Sequence, residues 1–67
     1  MKIELNNEHI SLPDNNMNVS DLIAWRGIQN AGVAVAINNK IISRKLWSDT
    51  LLHEGDQVVL IAAAYGG

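Results

Sequence analysis

The chain has no cysteine among its 67 residues, and this absence limits how so short a chain can be stabilised. A single core of this size rarely supplies more than about 3–5 kcal/mol, so many natural mini-domains add disulfides or a structural metal. Without cysteine, neither a disulfide framework nor a thiolate metal site is available. With 48% hydrophobic residues, the chain must gain its stability from apolar packing within one domain.

Charge and hydropathy argue against two classes of protein. A formal net charge of -2 and a pI near 5.4 do not suit a nucleic-acid-binding domain, which normally carries a basic face. No apolar run approaches the roughly 18 residues of a membrane span, and residues 1–4 lack the layout of a signal peptide. We therefore expect a small, soluble, cytoplasmic domain with no nucleic-acid or membrane partner.

The N-terminal region has the pattern of a β-hairpin. Residues 2–6 and 9–12 both alternate polar and apolar side chains, which is the two-residue period of a half-buried strand. Asn6-Asn7-Glu8 between them is a plausible turn, and Pro13 with the polar residues 14–16 ends the pattern.

A short helix is predicted next. Asn18 suits the N-cap, and Asp21 at the third helical position favours the positive end of the helix dipole. Three apolar residues spaced i, i+3 and i+4 form one stripe for burial: Val19, Leu22 and Ile23. Gly27 is a reasonable end for this helix, and Gly32 is the alternative if the helix continues.

The second half of the chain predicts three more strands. Val33–Ile37 is a continuous apolar run and indicates an inner strand covered on both faces. Asn38-Asn39 can adopt the left-handed backbone of a two-residue turn, so Lys40–Ile42 would return as an edge strand. Gln57–Ala62 reads as the last strand, which we expect at the centre of the sheet beside the first.

These elements predict an α+β domain over residues 1–62, in which one short helix packs on a single four- or five-stranded sheet. Residues 44–47 between the last two strands suggest an irregular or 3₁₀ turn, with Leu46 or Trp47 closing one end of the core.

The chain ends in Gly66-Gly67. Glycine has no Cβ, so two terminal glycines carry the carboxylate on a thin stalk that can enter a narrow channel in a partner enzyme. Chain ends are often loose, and we expect residues 63–67 to form a flexible tail beyond the folded domain.

A set of residues over about positions 18–67 carries a family resemblance: Asn18-Val19, Leu22-Ile23, the run from Val33 to Asn39, Ile42, Arg44, Trp47, Gly55-Asp56 and Gly66-Gly67. In this set and in the order of its elements, the chain resembles the ubiquitin-like β-grasp domains. It is most similar to the sulfur carrier proteins of thiamine biosynthesis, the ThiS family. Arg26, Ser43 and Tyr65 depart from the residues usual in that family.

The resemblance implies a β-grasp fold and a protein that is a substrate and carrier rather than an enzyme. A ThiF-like, ATP-dependent adenylating enzyme would activate the Gly67 carboxylate, a sulfur donor protein would convert it to a thiocarboxylate, and a ThiG-like thiazole synthase would receive the sulfur. Gly66 would be the thin spacer, while Ala63, Ala64 and Tyr65 would dock as an extended strand in the partner's groove. The chain would bind no cofactor itself, since the partner uses the ATP.

Other side chains give weaker signals. His9 and His53 show no metal-cluster pattern, so we expect them to be exposed or at the rim of the core. Lys40, Arg44 and Lys45 fit either a plain solvated face or a docking contact with an acidic partner.

Three alternative functions share much of this pattern. The small subunit of molybdopterin synthase has the same implied fold and tail chemistry. A ubiquitin-like protein modifier would use the activated carboxylate to form isopeptide bonds, and a β-grasp interaction module would not use the tail at all.

Overall fold

The computed structural model describes residues 1–28 and 32–62, which form one mixed sheet and one α-helix. The elements are β1 (Lys2–Leu5), β2 (Glu8–Ser11), α1 (Val19–Trp25), β3 (Val33–Ile37), β4 (Lys40–Ile42), a 3₁₀ helix (Arg44–Asp49) and β5 (Gln57–Ala62). The strand order is β2-β1-β5-β3-β4, with β1 and β5 parallel and the other neighbours antiparallel. The predicted α+β architecture is confirmed, including the edge position of β4 and the central position of β5 beside β1.

Both hairpins turn on a pair of asparagines. Asn6 and Asn7 have φ values of 50° and 70°, and Asn38 and Asn39 repeat these values. Two consecutive left-handed residues define a type I′ turn, whose twist matches that of the flanking strands. Asparagine tolerates this conformation better than most residues, which is why both predicted turns are confirmed.

The first asparagine of each turn also forms side-chain hydrogen bonds to β5. Asn6 does so from the β1 side and Asn38 from the β3 side. The Asn6 Oδ1 accepts the Leu60 backbone N–H at 2.8 Å, and its Nδ2 donates to the Leu60 carbonyl at 3.3 Å. On the other side, the Asn38 Oδ1 accepts the Gln57 backbone N–H at 3.0 Å. The Asn6 side chain thus supplies both hydrogen bonds that a further residue of β1 would have supplied, and the Asn38 side chain supplies one on the β3 side.

Helix α1 begins with a capping box. The Asn18 Oδ1 accepts the Asp21 backbone N–H at 2.8 Å, and the Asn18 backbone N–H donates to the Asp21 Oδ2 at 3.0 Å. These reciprocal bonds satisfy a helix N–H that has no partner within the helix. The predicted N-cap is confirmed.

The helix ends in a Schellman motif. Gly27 has φ 70° and donates to the Ala24 carbonyl at 3.1 Å, while Ile28 donates to the Ile23 carbonyl at 3.1 Å. The left-handed conformation at the position after the helix end favours glycine, because glycine lacks a Cβ. Gly27, rather than Gly32, is therefore the end of the helix, and Ile28 returns to pack against the core.

The core lies between α1 and one face of the sheet. The helix contributes the predicted stripe of Val19, Leu22 and Ile23, and the sheet contributes Ile3, Leu5, Val35, Ile37 and Val58. Of the two candidates for closing the core, Trp47 is buried and Leu46 is exposed. The Trp47 Nε1 donates to the Ile42 carbonyl at 3.0 Å, so its one polar atom is satisfied.

One prediction about β3 is wrong. Residues 33–37 were expected to be covered on both faces, but Val35 and Ile37 are buried while Ala34 is exposed. The reason is that the single helix covers only one face of the sheet, and no described element packs on the other.

Candidate functional site

The predicted site begins where the central strand ends. Ala62 is the last residue of β5 and pairs with Val33 of β3. The residues predicted to carry the chemistry or to dock lie outside the described residues, so their roles and the division of the chain at residue 62 stay predictions: Ala63, Ala64, Tyr65, Gly66 and Gly67. Five residues reach at most about 17 Å when fully extended. A partner that acts on Gly67 must therefore come close to this end of the sheet.

The side of the sheet away from α1, which we term the open face, is apolar over β3, β4 and β5. Ala36 pairs with Ile41 on one side and Val59 on the other, so these three side chains form one row. Ala34 pairs with Ile61 in the next row. Because directly paired residues point to the same side of a sheet, the rows are continuous. Ile41 is 69% exposed, Ile61 53% and Val59 42%.

The open face becomes polar toward β1 and β2. Gln57 precedes Val59 by two residues on β5, and its Nε2 donates to the Glu4 Oε2 at 3.3 Å. Glu4 pairs in turn with His9 of β2. The apolar part of the open face therefore lies on β5, β3 and β4, and it includes the strand that leads into the tail.

Sequence reasoning missed the open face. It interpreted the continuous apolar run of β3 as a strand covered on both sides, because such runs are typical of buried parallel sheets. The sequence does contain a signal for an uncovered face: it has only one helix with an apolar stripe, and one helix cannot cover both faces of a sheet.

The histidines and the Gly55-Asp56 turn have structural surroundings. His9 and His53 are exposed, as predicted. The Asp56 Oδ2 accepts the His53 backbone N–H at 2.8 Å and lies 3.8 Å from the His53 Nδ1, while its Oδ1 accepts from the Asn38 Nδ2 at 3.2 Å. Asp56 therefore joins its own turn to the β3–β4 turn.

Neither a metal centre nor a membrane-spanning helix is found in the described part of the chain. Within residues 1–28 and 32–62, no three His, Asp or Glu side chains gather in a way that could hold a metal ion. The helices described there are too short to cross a membrane.

The fold defines the class of this protein, because a mixed five-stranded sheet packed on one short helix is the ubiquitin-like β-grasp domain. Comparison with known proteins then gives the family: the model of the ThiS family matches residues 2–67, and the chain belongs to that family.

Individual relatives agree with this assignment. The sulfur carrier protein ThiS of Escherichia coli is 35% identical over 49 residues, which are 73% of this chain and 74% of that protein. A crystal structure of a thiamine biosynthesis protein (ThiS) from Geobacter metallireducens matches with a TM-score of 0.86 at 23% identity, covering all of both chains. A solution NMR structure of a thiamine biosynthesis protein from the same organism matches with a TM-score of 0.83 at 23% identity, covering all of this chain and 88% of the other. At this identity the two structures support the fold.

Proposed function

We propose that this chain is the sulfur carrier protein of thiamine biosynthesis and that it carries sulfur as a thiocarboxylate on Gly67. The observation that carries the proposal is the match of the ThiS family over residues 2–67, because the matched region includes both terminal glycines. The same match favours the thiamine pathway over the molybdopterin pathway and over protein modification. We place the chain in the cytoplasm with its partner enzymes.

The chemistry of the tail follows from the weak electrophilicity of a carboxylate. In the adenylating enzyme, a Gly67 carboxylate oxygen attacks the α-phosphorus of ATP, and pyrophosphate leaves. The outer sulfur of a persulfide on a donor protein then attacks the carbonyl carbon, AMP leaves, and an acyl disulfide forms. A thiol attacks the donor-side sulfur of this disulfide, the S–S bond breaks, and the thiocarboxylate is released. Gly66 and Gly67 have no side chains to obstruct either attack. The resulting thiocarboxylate is ionised and soft, so it is a good nucleophile for a thiazole synthase, by the reasoning that applies to thiolates.

The adenylating enzyme would dock on the open face. This surface is apolar, it lies on the sheet that the tail leaves, and the tail reaches at most about 17 Å beyond Ala62. An exposed apolar patch with a polar margin is typical of a protein–protein interface. Lys40 pairs with the buried Ile37 and therefore points to the helix side of β4, and the 3₁₀ helix that carries Lys45 packs against α1, so the partner surface on the open face would be mainly apolar.

Two tail variants test the carrier function. Adding one residue after Gly67, or replacing Gly67 with a bulkier residue, should abolish adenylation and sulfur loading in the presence of the adenylating enzyme, ATP and a sulfur donor. Ser48→Ala is the matched control, since Ser48 is exposed in the 3₁₀ helix, which packs against α1 on the other side of the sheet from the open face, and it should load normally. Normal loading of the extended chain would refute the proposal.

A further inference from the structure

The sheet has a gap beside the last residues of β5. Strand β1 pairs with β5 only from Glu4 to Leu5, opposite Gln57 and Val58. The Asn6 backbone N–H adds one bond to the Val58 carbonyl at 2.9 Å, and the chain then turns away into β2. On the other side of β5, pairing with β3 continues as far as Ala62. Among the described residues, the end of β5 is therefore paired on the β3 side only.

The backbone of Ala62 faces this gap. In a strand, the N–H and C=O groups of alternate residues point to the same side. Leu60 bonds on the β1 side, to the Asn6 side chain, whereas Gln57 bonds on the β3 side, to Asn38. Ala62 follows Leu60 by two residues, so its N–H and C=O point to the β1 side, beyond Asn6. Within residues 1–28 and 32–62, no group is positioned to pair with them there.

An apolar cleft lies beside the gap, on the helix side of the sheet. It has a volume of about 250 Å³, and four apolar side chains line it: Leu5, Ile28, Val33 and Leu60. Glu8 and Arg26 add one charge of each sign to the lining. The gap and the cleft together match an extended backbone that carries one apolar side chain on its inner face.

We propose that the enzyme that takes up the tail inserts a strand of its own into this gap, hydrogen-bonds the Ala62 backbone and places one apolar side chain in the cleft. The proposal rests on the proposed function and specifies how that partner binds. The reach of the tail, about 17 Å, brings the partner surface to this end of the sheet. Adding a strand to an open sheet edge gives affinity through backbone hydrogen bonds and specificity through the pocket.

Hydrogen exchange at the Ala62 amide tests the proposal directly. In the free chain this amide should exchange quickly, while the Leu60 amide, bonded to Asn6, should be protected and serves as the internal reference. Adding the adenylating enzyme should slow exchange at Ala62. Exchange that stays fast while Gly67 is adenylated overturns the strand addition and leaves the carrier function intact. Protection that appears without the enzyme and rises with chain concentration overturns it in favour of a second copy of the chain.

A pair of substitutions at one position gives an independent test. Ala62→Pro removes the N–H that faces the gap without removing a bond to β3, whereas Ala62→Ser keeps the N–H. The proline variant should bind the adenylating enzyme about two- to tenfold more weakly than the serine variant, which is the usual value of one hydrogen bond. Equal dissociation constants for two folded variants would overturn the proposal, and the exchange measurement decides the case in which the proline variant does not fold.

Discussion

Ile41 provides the sharpest test of the open face. It lies on edge strand β4 and is 69% exposed, so replacing it with alanine removes only a minor part of the apolar contact within the folded chain. If the adenylating enzyme covers this surface, the same replacement removes apolar contact from the complex. The substitution therefore separates binding from folding.

The expected effect follows from the exposed fraction. Full burial of an isoleucine side chain is worth about 1.5–3 kcal/mol, so burying the remaining 69% of Ile41 is worth about 1–2 kcal/mol. Alanine keeps the Cβ, and we expect a loss of about 1 kcal/mol, or about fivefold in the dissociation constant. Adding Ile61→Ala, at a side chain that is 53% exposed, should bring the loss to about 10- to 30-fold.

The assay is titration of the chain into the adenylating enzyme, with thermal unfolding of each variant measured alongside. Leu51→Ala is the matched control: Leu51 is 52% exposed but lies opposite Asn18 at the start of α1, away from the open face. The control should bind as the original chain does. If Ile41→Ala and Leu51→Ala bind alike, or if the double variant keeps full affinity, the open face is not the docking surface.

Three substitutions test the account of the fold by thermal unfolding. Asn18→Ala removes the capping box and should cost about 1 kcal/mol, a shift of about 4–8 °C in the midpoint; an unchanged midpoint would contradict the cap. Gly27→Ala should cost about 1–2 kcal/mol because no atom crowds the position and only the positive φ opposes a Cβ, so Gly27→Asn must cost less. Trp47→Phe removes the indole N–H that donates to the Ile42 carbonyl and should cost about 0.5–1.5 kcal/mol; an unchanged midpoint would mean that the indole bond contributes little.

The sequence predicted the elements of this fold because their signals are local. Asn18 with Asp21 marks the start of the helix, and Gly27 marks its end by a conformation that few other residues adopt. Asn38-Asn39 defines its hairpin for the same reason. Such features depend on a few neighbouring residues, so a sequence pattern is sufficient to find them.

Features that depend on what covers a surface were harder to predict. The apolar run of β3 has the same pattern whether one or two layers pack on it, so the exposure of Ala34 could be found only from the arrangement of the whole chain. The hydrogen bonds of Asn6 to Leu60 join residues 54 positions apart, and no local pattern indicates them. The gap at the end of β5 follows from that distant contact.

Of the candidate site, the sequence alone predicted the tail and not the surfaces of the folded domain. Gly66-Gly67 can be recognised as a thin, carboxylate-bearing end without any structure, and the structure adds the surfaces beside it. The open face and the gap were not predicted, because both arise where the sheet lacks a neighbour.

The central claim is that Gly67 carries sulfur, and the most direct test is the intact mass of the chain isolated from its native cells, with fragmentation to locate any change. The account predicts a fraction of molecules in which one oxygen is replaced by sulfur, with the change confined to Gly67. A chain that stays unmodified, both in cells and after incubation with the adenylating enzyme, ATP and a sulfur donor, would contradict it.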